Sequence, residues 1–287
     1  MQIIRASDMG FCWGVRRAVD MMEQQAAGGL PIISLGSVVH NEQVVEHLRG
    51  RGVGVAASAA ELSGDRVAIT AHGVGPQVLQ ELREMGKEII DTTCPIVTRS
   101  QRWAKKLADE GFAIVIFGDP NHKEVRGVLQ WAGNRGYAIT EDEIDSLPGD
   151  MPSRVAVLSQ TTHNPQRFAN FVALLLRKRI DRISDLQMIN TLCHATSGQQ
   201  AAAEELAGLV DIVVVVGGRE SANTRHLVEV CQARGVATHH VETESELQPA
   251  WFDGRERVGV TAGASTPDFV IDAVIARLEQ FSSAVPA

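Results

Sequence analysis

Short runs of aliphatic and β-branched residues alternate with segments whose apolar residues recur at helical spacing along the whole chain. The runs PIISLG, FAIVIFG and IVVVVGG are too short and too β-branched for helices and read as buried strands, the last over Ile212–Val216. Strands that alternate with helices predict an α/β fold built of parallel sheets with crossover helices. The stretches after three of the cysteines, Val15–Ala27, Thr98–Glu110 and Ser197–Val210, carry the helical pattern.

Aligned against itself, the chain repeats three times. Cys12, Cys94 and Cys193 each close a short apolar run (QIIRASDMGFC, KEIIDTTC, LQMINTLC), and each precedes a helix, a strand and a Gly-containing polar loop. Cys12 to His40, Cys94 to His122 and Cys193 to Ser221 are all 28 residues. A second polar loop closes each copy, at ITAHGV, LSQTTH and VTAGASTPD. The distances from the cysteine to His72, Thr161 and Ser265 are 60, 67 and 72 residues, a drift that surface-loop insertions produce. Three units follow, 1–93, 94–192 and 193–287. Ligands of parallel sheets bind beyond the carboxyl ends of the strands, where all these loops lie. The arrangement expected is a pseudo-threefold trefoil with the three thiols at its centre.

Composition narrows the chemistry. With 27 Lys plus Arg against 35 Asp plus Glu, the net charge is −8, which argues against a nucleic-acid partner. No apolar stretch approaches the roughly 20 residues of a membrane span, and the N-terminus lacks a secretory pattern, so the expected location is cytoplasmic. Cysteines there are ligands, catalysts or core residues more often than disulfides. Thiolates select zinc, copper(I) or iron–sulfur clusters. Structural zinc sites usually bring a C-x2-C pair, which is missing here. One cysteine per unit fits a cuboidal cluster better, and three ligands on four irons leave one iron open for substrate. Any single cysteine is most often plain packing, and Cys231, in HLVEVCQARG without a repeat partner, reads that way.

The polar loops hold His40 and Asn41, His72, His122 and Glu124, Gln160, Thr161 and Thr162, Ser221 and Asn223, and Thr261 and Ser265. Histidines, hydroxyls, amides and exposed backbone N–H groups suit an anionic phosphate. Glu124, two residues from a repeat-matched histidine, is the candidate proton donor. The other histidines, at 47, 163, 194, 226, 239 and 240, lack repeat support and read as surface or packing groups.

In order along the chain, GFCWGVRRAV, VVHN, AHGV, DTTCP, GDPNHKEV, SQTT, LCHAT, SAN and VTAGASTPD resemble the motifs of the LytB family of 4-hydroxy-3-methylbut-2-enyl diphosphate reductases. The resemblance runs from about residue 3 to about residue 280. It implies an oxidoreductase with a 4Fe–4S cluster on Cys12, Cys94 and Cys193 and one open iron. Its reaction is the last step of non-mevalonate isoprene biosynthesis, giving isopentenyl and dimethylallyl diphosphate, with electrons from a flavodoxin or ferredoxin. By motif position, His40, His72, His122, Thr161, Ser221, Asn223 and Ser265 bind substrate, and Glu124, His122 and Thr161 are catalytic. The chain departs from the family pattern at Lys123, Ala222 and Gln199; Lys123 and Ala222 motivate a second reading, a diverged paralogue acting on another allylic or phosphorylated substrate. A non-catalytic metal-binding or redox-sensing module is a third.

Overall fold

The repeated strand–helix pattern folds into three parallel four-stranded sheets of one design. The computed structural model describes residues 1–283, the side chain of Asn134 apart. One sheet has the order β3-β2-β4-β5, from β2 (Ile32–Leu35), β3 (Val53–Ala56), β4 (Arg66–Ile69) and β5 (Glu88–Asp91). A second has the order β7-β6-β8-β9, from β6 (Ala113–Phe117), β7 (Gly136–Ile139), β8 (Arg154–Ser159) and β9 (Asp185–Met188). The third has the order β11-β10-β12-β1, from β10 (Ile212–Val216), β11 (Ala237–Val241), β12 (Arg257–Ala262) and the N-terminal β1 (Gln2–Arg5). Each sheet therefore places its strands in the order second, first, third, fourth. In the third sheet the fourth place is taken by β1, paired with β12 from Gln2↔Arg257 to Arg5↔Val260.

Helices join the strands: α1 (Trp13–Ala26), α2 (Glu42–Arg49), α3 (Pro76–Glu84), α4 (Pro95–Asp109), α5 (Lys123–Ala132), α6 (Pro165–Arg179), α7 (His194–Ala207), α8 (Ala222–Ala233) and α9 (Asp268–Ser283). The three helices after the cysteines begin two or three residues earlier than the apolar spacing predicts. Pro95 explains one of them: at the first helical position its fixed φ is already helical and no N–H is lost.

The chain divides into two compact units. One comprises Met1–Arg16, Val39–Gly50 and His194–Ala287 and holds the sheet of β1, β10, β11 and β12. Alternate residues of β10 face opposite sides of that sheet. Val214 and Val216 meet Val270, Val274 and Leu278 of α9, while Val213 and Val215 meet Leu206 of α7 with Leu227 and Cys231 of α8. The other unit, Arg17–Val38 with Arg51–Cys193, holds the remaining two sheets. In it Val115 and Phe117 pack on Phe168, Phe171 and Leu175 of α6, and Ile114 and Ile116 pack on Leu107, Val125 and Val128 of α4 and α5. All five residues of both β6 and β10 are buried, as strands covered on two faces require.

Candidate functional site

The fourth strand of each sheet leads directly to a cysteine, and the three cysteines share one backbone anchor. Cys94 N–H donates to Ala71 O (3.0 Å), Cys193 N–H to Thr161 O (2.9 Å) and Cys12 N–H to Ala264 O (3.1 Å). Each acceptor stands two residues beyond the third strand of the sheet concerned. The turn that presents it also repeats: Gly73 N–H donates to Thr70 O, His163 N–H to Gln160 O and Thr266 N–H to Gly263 O.

All three cysteines are half-buried. A helix starts beside each cysteine, and the amides of its first turn have no partner within the helix. Val15 N–H lies 3.5 Å from Cys12 Sγ. Burial pushes the Cys94 thiol up, the amides of Ile96 and Val97 pull it back, and the charges of Cys193 and Glu124 raise it further. Sulfur ligands with amides directed at them suit a soft, electron-rich centre such as an iron–sulfur cluster. Cys231 differs in every respect: it is fully buried, and burial alone pushes its thiol up to about 11.

Glu124, in the first turn of α5, is buried against Thr161. Its Oε1 accepts from Thr161 N–H at 2.8 Å and its Oε2 from the Thr161 hydroxyl at 2.7 Å. His122 caps α5 by accepting Glu124 N–H at Nδ1, 3.3 Å away. A neutral imidazole that accepts at Nδ1 carries its proton at Nε2, so the outer edge of His122 is a donor. The His72 ring meets it edge-on, with centroids 5.6 Å apart. Gln160 ties its own loop to the neighbouring one, accepting from Asp119 N–H and donating to the Thr162 hydroxyl.

In the other unit, Ser221 caps α8 by accepting Thr224 N–H, and Asn41 caps α2 by accepting Val44 N–H. The Ser265 hydroxyl donates to His40 O at 3.2 Å. That backbone passes so close to Gly218 that a Cβ there would stand 2.4 Å from His40 O. Asn223 is buried and donates through Nδ2 to Gln199 Oε1. Asn41 Nδ2 and Asn223 Oδ1 are both buried without a partner.

Two of the spacing matches shift by one residue in three dimensions. The helix caps are Asn41, His122 and Ser221, so His40 precedes its cap because the first loop is one residue longer. In the second loops the repeating turn aligns His72 and Ser265 with Thr162, and Thr161 with the anchoring residues Ala71 and Ala264. Arg17, which donates to the carbonyls of Thr92 and Thr93 just before Cys94, had no signal in the repeat, nor had Gln199 as the partner of Asn223. His163 and His239 pack on rings, at 4.2 Å from Phe117 and 3.9 Å from Trp251. No helix among the described residues is long and apolar enough to cross a membrane.

Comparison with known proteins agrees with the motifs. Residues 3–279 match the LytB protein family. A 4-hydroxy-3-methylbut-2-enyl diphosphate reductase of Dehalococcoides mccartyi (strain CBDB1) is 45% identical over 284 residues, covering 99% of each chain. One from Anaeromyxobacter sp. (strain K) is 41% identical over 280 residues, 97% of this chain and 99% of that one. Among solved structures, the E-1-hydroxy-2-methyl-but-2-enyl-4-diphosphate reductase of Plasmodium falciparum superposes with a TM-score of 0.89 at 25% identity, covering 96% of this chain and 87% of its own. A structure of (E)-4-hydroxy-3-methyl-but-2-enyl diphosphate reductase, described as the terminal enzyme of the non-mevalonate pathway, gives 0.69 at 35% identity, covering 98% and 100%. Sequence, sheet design and repeated cysteine anchor thus agree, and the chain belongs to the LytB family.

Proposed function

We propose that the chain reductively dehydroxylates 4-hydroxy-3-methylbut-2-enyl diphosphate to isopentenyl and dimethylallyl diphosphate, the last step of the non-mevalonate pathway. The observation that carries the reading is the common anchor of the three cysteines, each bound through its N–H to the second residue past a third strand. Three thiols made equivalent by the fold are what one cluster with three protein ligands needs, and Cys12, Cys94 and Cys193 are the ligands of a 4Fe–4S cluster in this reading. The units 1–93, 94–192 and 193–287 then each begin or contribute one ligand. When bound, the cluster supplies electrons and, through its iron without a protein ligand, Lewis acidity.

The chain's own residues do the rest. The allylic C–O bond breaks, a C–H bond forms and the oxygen leaves as water, taking two electrons and two protons overall. Glu124, both oxygens fixed by the two Thr161 donors, passes a proton toward the departing oxygen. His122, with its proton at Nε2, donates to the diphosphate beside it. His40, His72, Ser221, Asn223 and Ser265 complete the anion site, and Thr161 meets the substrate hydroxyl. Electrons arrive from a flavodoxin or ferredoxin that docks transiently in the cytoplasm.

Anaerobic turnover of the authentic diphosphate by brown, iron-loaded protein with a chemical reductant tests the reading. An intact cluster without turnover would refute it in favour of the diverged paralogue, whose motive is Lys123 and Ala222 in the first turns of α5 and α8.

A further inference from the structure

Gln199 is almost fully buried in α7 and makes two hydrogen bonds that join separate parts of its unit. Its Nε2 donates to Gly10 O at 2.8 Å, and its Oε1 accepts from Asn223 Nδ2 at 2.9 Å. Helix α7 lies close enough for this because residue 198 is glycine; a Cβ there would stand 2.8 Å from Asp8 Oδ2. Gly10 belongs to the loop that ends in Cys12, and its own backbone is fixed at φ +79° with its N–H on Ala262 O.

The polarity of this chain of bonds is dictated from one end. A backbone carbonyl only accepts, so the edge of Gln199 facing Gly10 is its NH2 group. Its carbonyl must then face Asn223, and Asn223 must turn its own NH2 toward Gln199. That leaves Asn223 its second Nδ2 hydrogen, beside an Oδ1 that is buried and without a partner in the protein.

The geometry points to Gln199 as a positioning residue that fixes the amide of Asn223, one Nδ2 hydrogen on Gln199 Oε1, so that the other is held for the diphosphate. The Gly10 bond ties that orientation to the loop of Cys12. This inference rests on the reading of Asn223 as a substrate ligand.

The test is made on iron-loaded, anaerobic enzyme with 4-hydroxy-3-methylbut-2-enyl diphosphate and a chemical reductant. Gln199→Met removes both bonds at nearly constant volume, Gln199→Glu keeps an acceptor for Asn223 while losing the amide donor to Gly10, and Asn223→Ala removes the ligand itself. Gln199→Met and Asn223→Ala each raise KM about tenfold, the loss of one good hydrogen bond, with kcat nearly unchanged. The double variant is no worse than either single one, and Gln199→Glu stays within about threefold of the parent. Multiplying effects in the double variant, or equal damage from Met and Glu, overturns the inference, because a merely structural residue behaves in that way. An unchanged KM in Asn223→Ala instead overturns the substrate reading on which the inference stands. Should Gln199→Met not fold, Gln199→Leu removes the same two bonds and carries the same expectation.

Discussion

Thr161 serves the site twice, and its two roles separate cleanly by substitution. Its carbonyl anchors Cys193, while its N–H and hydroxyl both hold Glu124. Thr161→Val keeps the shape and both backbone bonds but removes the hydroxyl and sets a methyl group against Glu124 Oε2. A hydrogen bond to an ionised group is worth about 1.5–3 kcal/mol. Glu124 is only 3% exposed, so water does not readily replace the lost donor, and about 2–3 kcal/mol is expected. For a chain of this size that lowers the melting temperature by roughly 4–10 °C. The carboxyl also loses the contact that fixes Oε2, and a shift approaching 1 Å costs about a hundredfold in rate. Iron content should not change, because the Cys193 anchor is a backbone bond. Thr161→Ser, which restores the hydroxyl, should recover most of both losses. The assays are anaerobic melting, iron per chain, and kcat with a chemical reductant. Wild-type melting and kcat in Thr161→Val would refute the reasoning, and so would a serine variant as impaired as the valine.

Three further outcomes are expected. Glu124→Gln keeps an acceptor for Thr161 N–H but cannot deliver a proton as the acid does, so kcat falls about 10²–10⁴-fold with KM little changed, measured by steady-state kinetics. Gly218→Ala drives a Cβ into the His40 carbonyl; the backbone must yield, at about 1–3 kcal/mol of stability by melting, and substrate KM rises as the Ser265–His40 contact opens. Cys231, with its thiol pushed up to about 11, stays protonated and unreactive in the folded protein at pH 8, so alkylation of native protein should spare it. The unfolded chain releases that proton at lower pH than the folded one, so stability falls as pH rises from about 9 toward 11, and Cys231→Ala, with iron content unchanged, should abolish that alkaline loss.

The α/β class and the strand at Ile212–Val216 were legible because buried parallel strands are continuous apolar runs. The repeat also located the cysteines correctly on strand ends, since a helix and a strand of nearly constant length separate each from its first loop. Spacing was less reliable inside the loops. One extra residue between Gly36 and Asn41 puts His40 before its cap, and a count from Cys94 cannot see the turn that aligns Thr162 with His72 and Ser265. Periodicity also says nothing about which sheet a strand joins, so the pairing of β1 with β12 was out of reach. Gln199 stood out only as a departure from the family pattern; that it carries two buried bonds depends on residues at positions 10 and 223, far apart in the chain.

The place of β1 has a consequence for the timetable of folding. The sheets of residues 32–91 and 113–188 are each made from one continuous stretch, with modest loops to close. The third waits for Gln2 to find Arg257 across most of the chain, the strand pairing with the greatest sequence separation among the described residues. Loop closure over such a span is slow relative to local pairing. The backbone around Cys12 is therefore expected to gain protection from hydrogen exchange after that around Cys94, and the loop that Gly10 and Gln199 hold to be among the last parts to become rigid.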